Sequence, residues 1–349
     1  MTSFPSLNRP RSGKVLLMFY RLLGILVLGG SFAFAWVMMS LNSFSENPIL
    51  LPETGIAYEL QPGTSLSAVA KDLEQRGYLQ SAFYFQLMAR LDGQASNIKA
   101  GEYHLQAGLT PKSLLALLVS GQVVSHTLTL VEGWNFQQVL AAISGHEALK
   151  KTLVGLSDEE IMARLGSPDM HPEGRFLPDT YHFPKGTTDL DFLKRAQRAM
   201  EQLLAREWAE REQDLPLTTP YEALILASIV EKETGQAAER PEIAGVFIRR
   251  LKKGMLLQTD PTVIYGMGPS FDGNIRRSDL RQDTPYNTYV HRGLPPTPIS
   301  MPGADALHAV LHPAKGSSLY FVAKGNGWHY FSDTLAEHNK AVRKYQLKR

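Results

Sequence analysis

Apolar and polar positions follow three different rhythms along this 349-residue chain. From Leu22 to Leu41 twenty residues pass without a charge, LLGILVLGGSFAFAWVMMSL. As a helix rising ~1.5 Å per residue, they cross the ~30 Å hydrocarbon core of a bilayer. The stretch is longer than the ~7–15 apolar residues of a secretory leader, and bulky Trp36, Val37, Met38 and Met39 fill its outer end where a leader places small cleavage-site residues. Residues 22–41 therefore read as a retained transmembrane helix, preceded by a tail over 1–21 and followed by a polar, Pro-containing linker over 42–55.

A second rhythm begins after the linker. Tyr58-x-Leu60-x-x-Gly63-x-Ser65 recurs 45 residues later as Tyr103-x-Leu105-x-x-Gly108-x-Thr110, and more faintly as Leu130-x-x-Gly133-x-Asn135. Each copy starts with apolar residues at period two, turns at the Gly and offers Ser65, Thr110 or Asn135 as an N-cap. Pro111 then falls at a first helical position and Gln138 three residues after its cap, as helix starts favour. Leu66, Val69, Ala70 and Leu73 follow at helical spacing, as do Leu114, Leu115 and Leu118, and Val139, Leu140 and Ile143. The pattern predicts three strand-turn-helix units. The first, Gly63-Thr64-Ser65-Leu66 followed by Val69-Ala70, resembles a LysM module, with Thr64 where such modules usually carry Asp.

The third rhythm is helical over 146–215, broken by a loop from Pro168 to Gly186. Leu190, Leu193, Met200, Leu203, Leu204 and Trp208 mark one amphipathic helix. Helices are expected over 221–234 and about 240–253, then a Gly- and Pro-rich stretch with five Pro between 284 and 303, a strand-like SLYFVAKG, an aromatic WHYF and a last helix from about Thr334. The predicted class is α+β: one N-terminal transmembrane helix, a small LysM-like βα subdomain (56–125) and a mixed α/β domain (126–349).

Charge changes the picture mainly through its position. The net charge is +2, but Arg9, Arg11, Lys14 and Arg21 stand without an acid among the first 21 residues, which leaves −2 for the rest. A basic nucleic-acid footprint is absent from the predicted outer part. By the positive-inside rule the N-terminus stays in the cytoplasm and the remaining three hundred or so residues face outward from the cytoplasmic membrane. The chain has no Cys, so disulfides, thiolate zinc sites and Cys nucleophiles are excluded.

The sequence contains no P-loop, no GxGxxG after a strand, no HExxH and no GxSxG. His308 and His312 lie four apart, but no acidic third ligand is near them in sequence and Pro313 follows, so no metal and no cofactor is expected. Carboxylate chemistry remains, and it is sharpest in YEALILASIVEKET. Glu231 and Glu233 diverge by about 200° around a helix, so only one can line a given cleft. Glu233 continues the stripe of Leu226, Ile229 and Val230, where burial would raise its pKa. Glu231 lies above Leu224, Ala227 and Ser228. The alternative is that both are exposed and ion-paired around Lys232.

ASIVEKET (227–234), LQTDPTVIYG (257–266), TPYNTYVHRGLPP (284–296) and MPGADALHAVLHPA (301–314) resemble successive blocks of the YceG-like endolytic murein transglycosylase family. EGRFLPDTYHF (173–183) and LYFVAKGNGWHYFSDTLAEHN (319–339) do so as well. Thr297 replaces a common Gly, and Arg175-Phe-Leu177 a more Trp-rich segment. The resemblance implies a membrane-anchored lyase that cuts peptidoglycan glycan strands, with Glu233 as its single catalytic acid and peptidoglycan synthases as partners. Gln258, Thr259 and Asp260 are the first choice for substrate-binding residues, with Tyr265, Tyr286, Asn287, Tyr289 and Glu173 beside them. Asp260 stays open between positioning residue, helix or turn cap, and second carboxylate of a hydrolase. Tyr265 could equally be core, and YNTY a packed turn.

Overall fold

In the computed structural model, which describes residues 12–347, the chain forms two compact units, one ending at Val124 and one beginning at Ser125. Arg9 and Arg11 of the expected tail lie outside the described residues. Helix α1 (Ser12–Glu46) includes a segment long and apolar enough to cross a membrane, Leu16–Glu46. It runs beyond the expected span because NSFSE contains no helix breaker before Pro48. The expected linker is thus split: its first residues are helical, and Leu41 and Phe44 turn inward and join the core of the first unit.

That unit is built from the first two repeats. Strand β1 (Ile56–Leu60) leads through Gly63, in the left-handed region that its turn requires, to α2 (Leu66–Gln75), capped by Ser65. Helix α3 (Ala82–Leu91) follows, then β2 (Gly101–Leu105) and α4 (Pro111–Ser120), which Thr110 caps with Pro111 in the first turn. Strands β1 and β2 pair antiparallel, Tyr58 opposite Tyr103. Leu66, Val69, Ala70, Leu73, Leu114, Leu115 and Leu118 are all buried, as their spacing predicted.

The third repeat opens the second unit. Its strand β3 (Ser125–Thr129) precedes α5 (Phe136–Gly145), where Asn135 and Gln138 form a reciprocal capping box. After α6 (Asp158–Leu165), the region expected as a loop holds a strand, β4 (Thr180–Pro184), paired antiparallel to β3. A pairing across fifty residues leaves no local signal in so short a segment. Helix α7 (Asp189–Glu210) is the expected amphipathic helix. Helices α8 (Pro220–Glu233) and α9 (Arg240–Lys252) form a core with α11 (Ala304–Leu311), and α10 (Asp260–Met267) lies in a stretch for which the sequence pattern predicted no helix. Strands β5 (Tyr320–Ala323) and β6 (His329–Ser332) make a hairpin, followed by α12 (Leu335–Tyr345).

Candidate active site

Helix α8 starts at Pro220 behind the Thr219 cap, and every residue from Ala223 to Val230 is buried. Its whole circumference is therefore core, and the apolar stripe predicted to single out Glu233 does not distinguish one face from another. Partners make the distinction instead. Glu231 accepts from Arg240 Nη2 at 3.0 Å and from the Gly303 backbone N–H at 2.9 Å, with its side chain 5% exposed. It is a buried, paired structural carboxylate. The expectation that both glutamates are exposed around Lys232 fails, since Lys232 donates to the Gly133 carbonyl at 3.2 Å.

Among the described residues Glu233 has no such cation in contact. It is the last residue of α8, at the negative end of the helix dipole, and Oε1 accepts a hydrogen bond from Thr259 Oγ1 while Oε2 receives none among the described residues. The residue keeps a partly exposed surface toward a pocket of about 460 Å³, yet its carboxyl is desolvated by the protein around it. Desolvation, with the nearby Asp260 charge adding to it, pushes the Glu233 pKa from 4.5 up to about 7, against the Thr259 hydrogen bond and the Arg250 charge.

The loop that meets Glu233 is held from behind. Thr288 Oγ1 accepts from the Thr259 backbone N–H at 3.1 Å and lies 2.9 Å from Thr262 Oγ1, and the Gln258 N–H donates to the Thr288 carbonyl at 3.1 Å. Gln258 adopts φ 50°, a left-handed conformation that a non-glycine residue keeps only when its surroundings impose it. Pro261 in the first turn then starts α10, with Thr259 at the N-cap position. Asp260 is thus a first-turn helical residue and not a cap; its Oδ1 accepts from Tyr289 Oη at 2.6 Å.

Of the residues expected from sequence, Glu233, Gln258, Asp260 and Tyr289 line this one pocket, with Thr259 buried directly behind. Arg250, Tyr320, His329 and His338 line it too and were not anticipated. They arrive from α9, the β5–β6 hairpin and α12, elements that the sequence pattern did not connect with Glu233. Arg250 is spent on backbone carbonyls, at 2.7 Å from that of Leu319 and 2.8 Å from that of Leu257. It acts on Glu233 as a nearby charge.

The other candidates lie elsewhere. Asn287 is 1% exposed: its amide donates to the Gln282 and Asp279 carbonyls and its oxygen accepts from the Tyr289 N–H, so it builds the turn and is closed off from a ligand by burial. Tyr286 packs edge-on against Tyr265, ring centroids 4.9 Å apart, and its hydroxyl is 2.8 Å from that of Thr297. Glu173 and Tyr265 line a larger concavity of about 820 Å³. Burial likewise pushes Glu173 up to about 7, but both its oxygens are engaged, by the Phe136 N–H at 3.1 and 3.3 Å and by Tyr265 Oη at 3.0 Å. Size favours the larger pocket, whereas the acid with an unengaged oxygen sits in the smaller. A reacting bond needs the latter.

Comparison with known proteins agrees with the blocks quoted from the sequence. The model of the YceG-like family matches residues 58–344. A Bacillus subtilis protein named endolytic murein transglycosylase is 34% identical over 337 residues, covering 92% of this chain and 91% of that protein. One of the same name from Streptococcus pneumoniae is 27% identical, and this chain spans 63% of its length. The crystal structure of a yceG-like protein from Listeria monocytogenes superposes with a TM-score of 0.54 at 30% identity, covering 83% of this chain and 99% of that one. The chain belongs to the YceG-like family.

Proposed function

We propose that this protein is an endolytic peptidoglycan lytic transglycosylase that cleaves the bond between N-acetylmuramic acid and N-acetylglucosamine and leaves 1,6-anhydro-muramic ends. The observation that carries the reading is the Glu233 carboxyl, raised toward neutrality in a pocket with one oxygen free. Names of relatives similar over most of the chain support it. Protonated Glu233 gives its proton to the leaving glycosidic oxygen. Its carboxylate then takes the proton of the muramic C6 hydroxyl as that oxygen attacks its own anomeric carbon. Thr259 orients the carboxyl, and Gln258 and Tyr289 contact the sugar.

Asp260 in the same pocket favours one second reading, a muramidase using it as nucleophile or base for water. A third reading, a glycan-binding scaffold without catalysis, rests on the LysM-like unit, where Gln106, Ser113 and Gln122 line a shallow concavity. On this reading the apolar helix anchors the chain in the cytoplasmic membrane with its N-terminus inside, and the substrate is nascent glycan near the synthases that make it.

Mass spectrometry of digested sacculi decides among the three. The lyase yields anhydro termini, and Glu233→Gln slows their release by about 10²–10⁴-fold, the contribution of a positioned general acid. Reducing ends in place of anhydro termini would establish the muramidase. A fully active Glu233→Gln protein would remove Glu233 from the chemistry.

A further inference from the structure

We propose that Glu207, His308 and His312 form a binding site for one divalent transition-metal ion of the zinc class, apart from the pocket of Glu233. One ligand atom from each lies within 4.8 Å of the other two, a cluster hidden from sequence reading because Glu207 is a hundred residues away. None of the three lines the Glu233 pocket. Two imidazoles and a carboxylate are a donor set that suits zinc, with bonds of about 2.0–2.2 Å and a fourth position for water.

The frame of the site is already assembled. Glu207 sits in the last turn of α7, its side chain only 10% exposed, and burial with Arg206 on Oε1 at 3.3 Å leaves Oε2 turned to His308 Nδ1 at 2.8 Å. His312 follows the last residue of α11, its backbone N–H still bonded to the His308 carbonyl at 2.8 Å, and the two rings lie 4.4 Å apart. A backbone bond from Glu212 to the Leu311 carbonyl, 2.9 Å, ties the end of α7 to the end of α11. Tetrahedral bonds of that length separate ligand atoms by about 3.3 Å. The two imidazoles, the more exposed members, close the remaining distance by turning about their side-chain torsions. The ion would join α7 to α11, whose first turn is held by Glu231.

Full-length protein carrying no polyhistidine tag, purified in detergent and stripped with a chelator, is titrated with zinc chloride against a chromophoric chelator. One equivalent bound is expected, with Tm rising by roughly 5 °C at a zinc concentration about a hundredfold above Kd. His308→Ala and His312→Ala each weaken binding by about 100-fold or more, whereas the exposed His291→Ala leaves it unchanged. Absence of stoichiometric binding, equal binding by either ligand variant, or loss of binding in His291→Ala overturns the site and leaves Glu207 and His308 as a plain hydrogen-bonded pair.

Discussion

Glu231 and Glu233 begin with the same side chain, and the protein gives them opposite electrostatic surroundings. Arg240 and a backbone N–H hold Glu231; Glu233 faces a pocket at a helix C-terminus with the Asp260 charge nearby. With the Glu233 pKa near 7, a step that needs its proton slows as pH rises through about 7. Asp260→Asn removes the charge that helps hold the proton on and keeps an acceptor for Tyr289, so the alkaline limb of the pH–rate profile moves to lower pH with activity retained. A hydrolase using Asp260 would lose activity at every pH. Stability carries the same signature. The unfolded chain ionises Glu233 near 4.5 and the folded one near 7, so the folded state loses stability as pH rises between those values, by about 3 kcal/mol at most from this group. Glu233→Gln abolishes that loss: its Tm gains on the parent from pH 5 to pH 8, as differential scanning calorimetry would record.

The C-terminal turn of α8 is where the Pro-rich stretch is fastened to the helix. Ser228 accepts from the Ile299 N–H at 2.9 Å, its carbonyl accepts from Ser300, and Glu231 takes the first N–H of the α11 turn. Glu231→Gln weakens the buried pair with Arg240, which also touches the more exposed Glu132 and Asp305. It should cost about 2–3 kcal/mol in urea unfolding and leave turnover per folded molecule close to that of the parent, the reverse of Glu233→Gln. Elements whose signals are local were legible in the sequence: Ser65, Thr110 and Asn135 cap the helices they were expected to cap. Strand β4 was not, because its partner is far along the chain. Helix α10 was not, because eight residues behind a Pro barely complete two turns of period. For the site, the sequence could place Gln258, Thr259 and Asp260 together. It could not bring Arg250, Tyr320 and His338 to Glu233, since each arrives through a long-range packing contact.

At the scale of the whole molecule, the apolar helix and the first unit are one piece of structure. Most apolar residues of α1 from Leu16 to Met39 are exposed, as those of a lipid-facing span would be, whereas Leu41, Phe44 and then Ile49 are buried in the core of the first unit. Phe44 meets Tyr84 with ring centroids 5.7 Å apart, and Lys112 reaches Glu46 at 3.3 Å. A polar linker in this place would let the unit drift from the bilayer. A helix whose end belongs to the core fixes the unit at the end of the span. The ion pair is exposed and contributes little, so the aromatic contact dominates. Phe44→Ala removes a ring that is 7% exposed and should destabilise the first unit by about 3 kcal/mol, or roughly a hundredfold in amide protection. Hydrogen exchange on the full chain in detergent locates the effect. Amides of 82–120 should exchange faster in the variant, while those of 220–311, whose core is separate, keep their protection. Equal protection of 82–120 in both proteins would mean that α1 ends at the membrane as a tether and takes no part in holding the unit together.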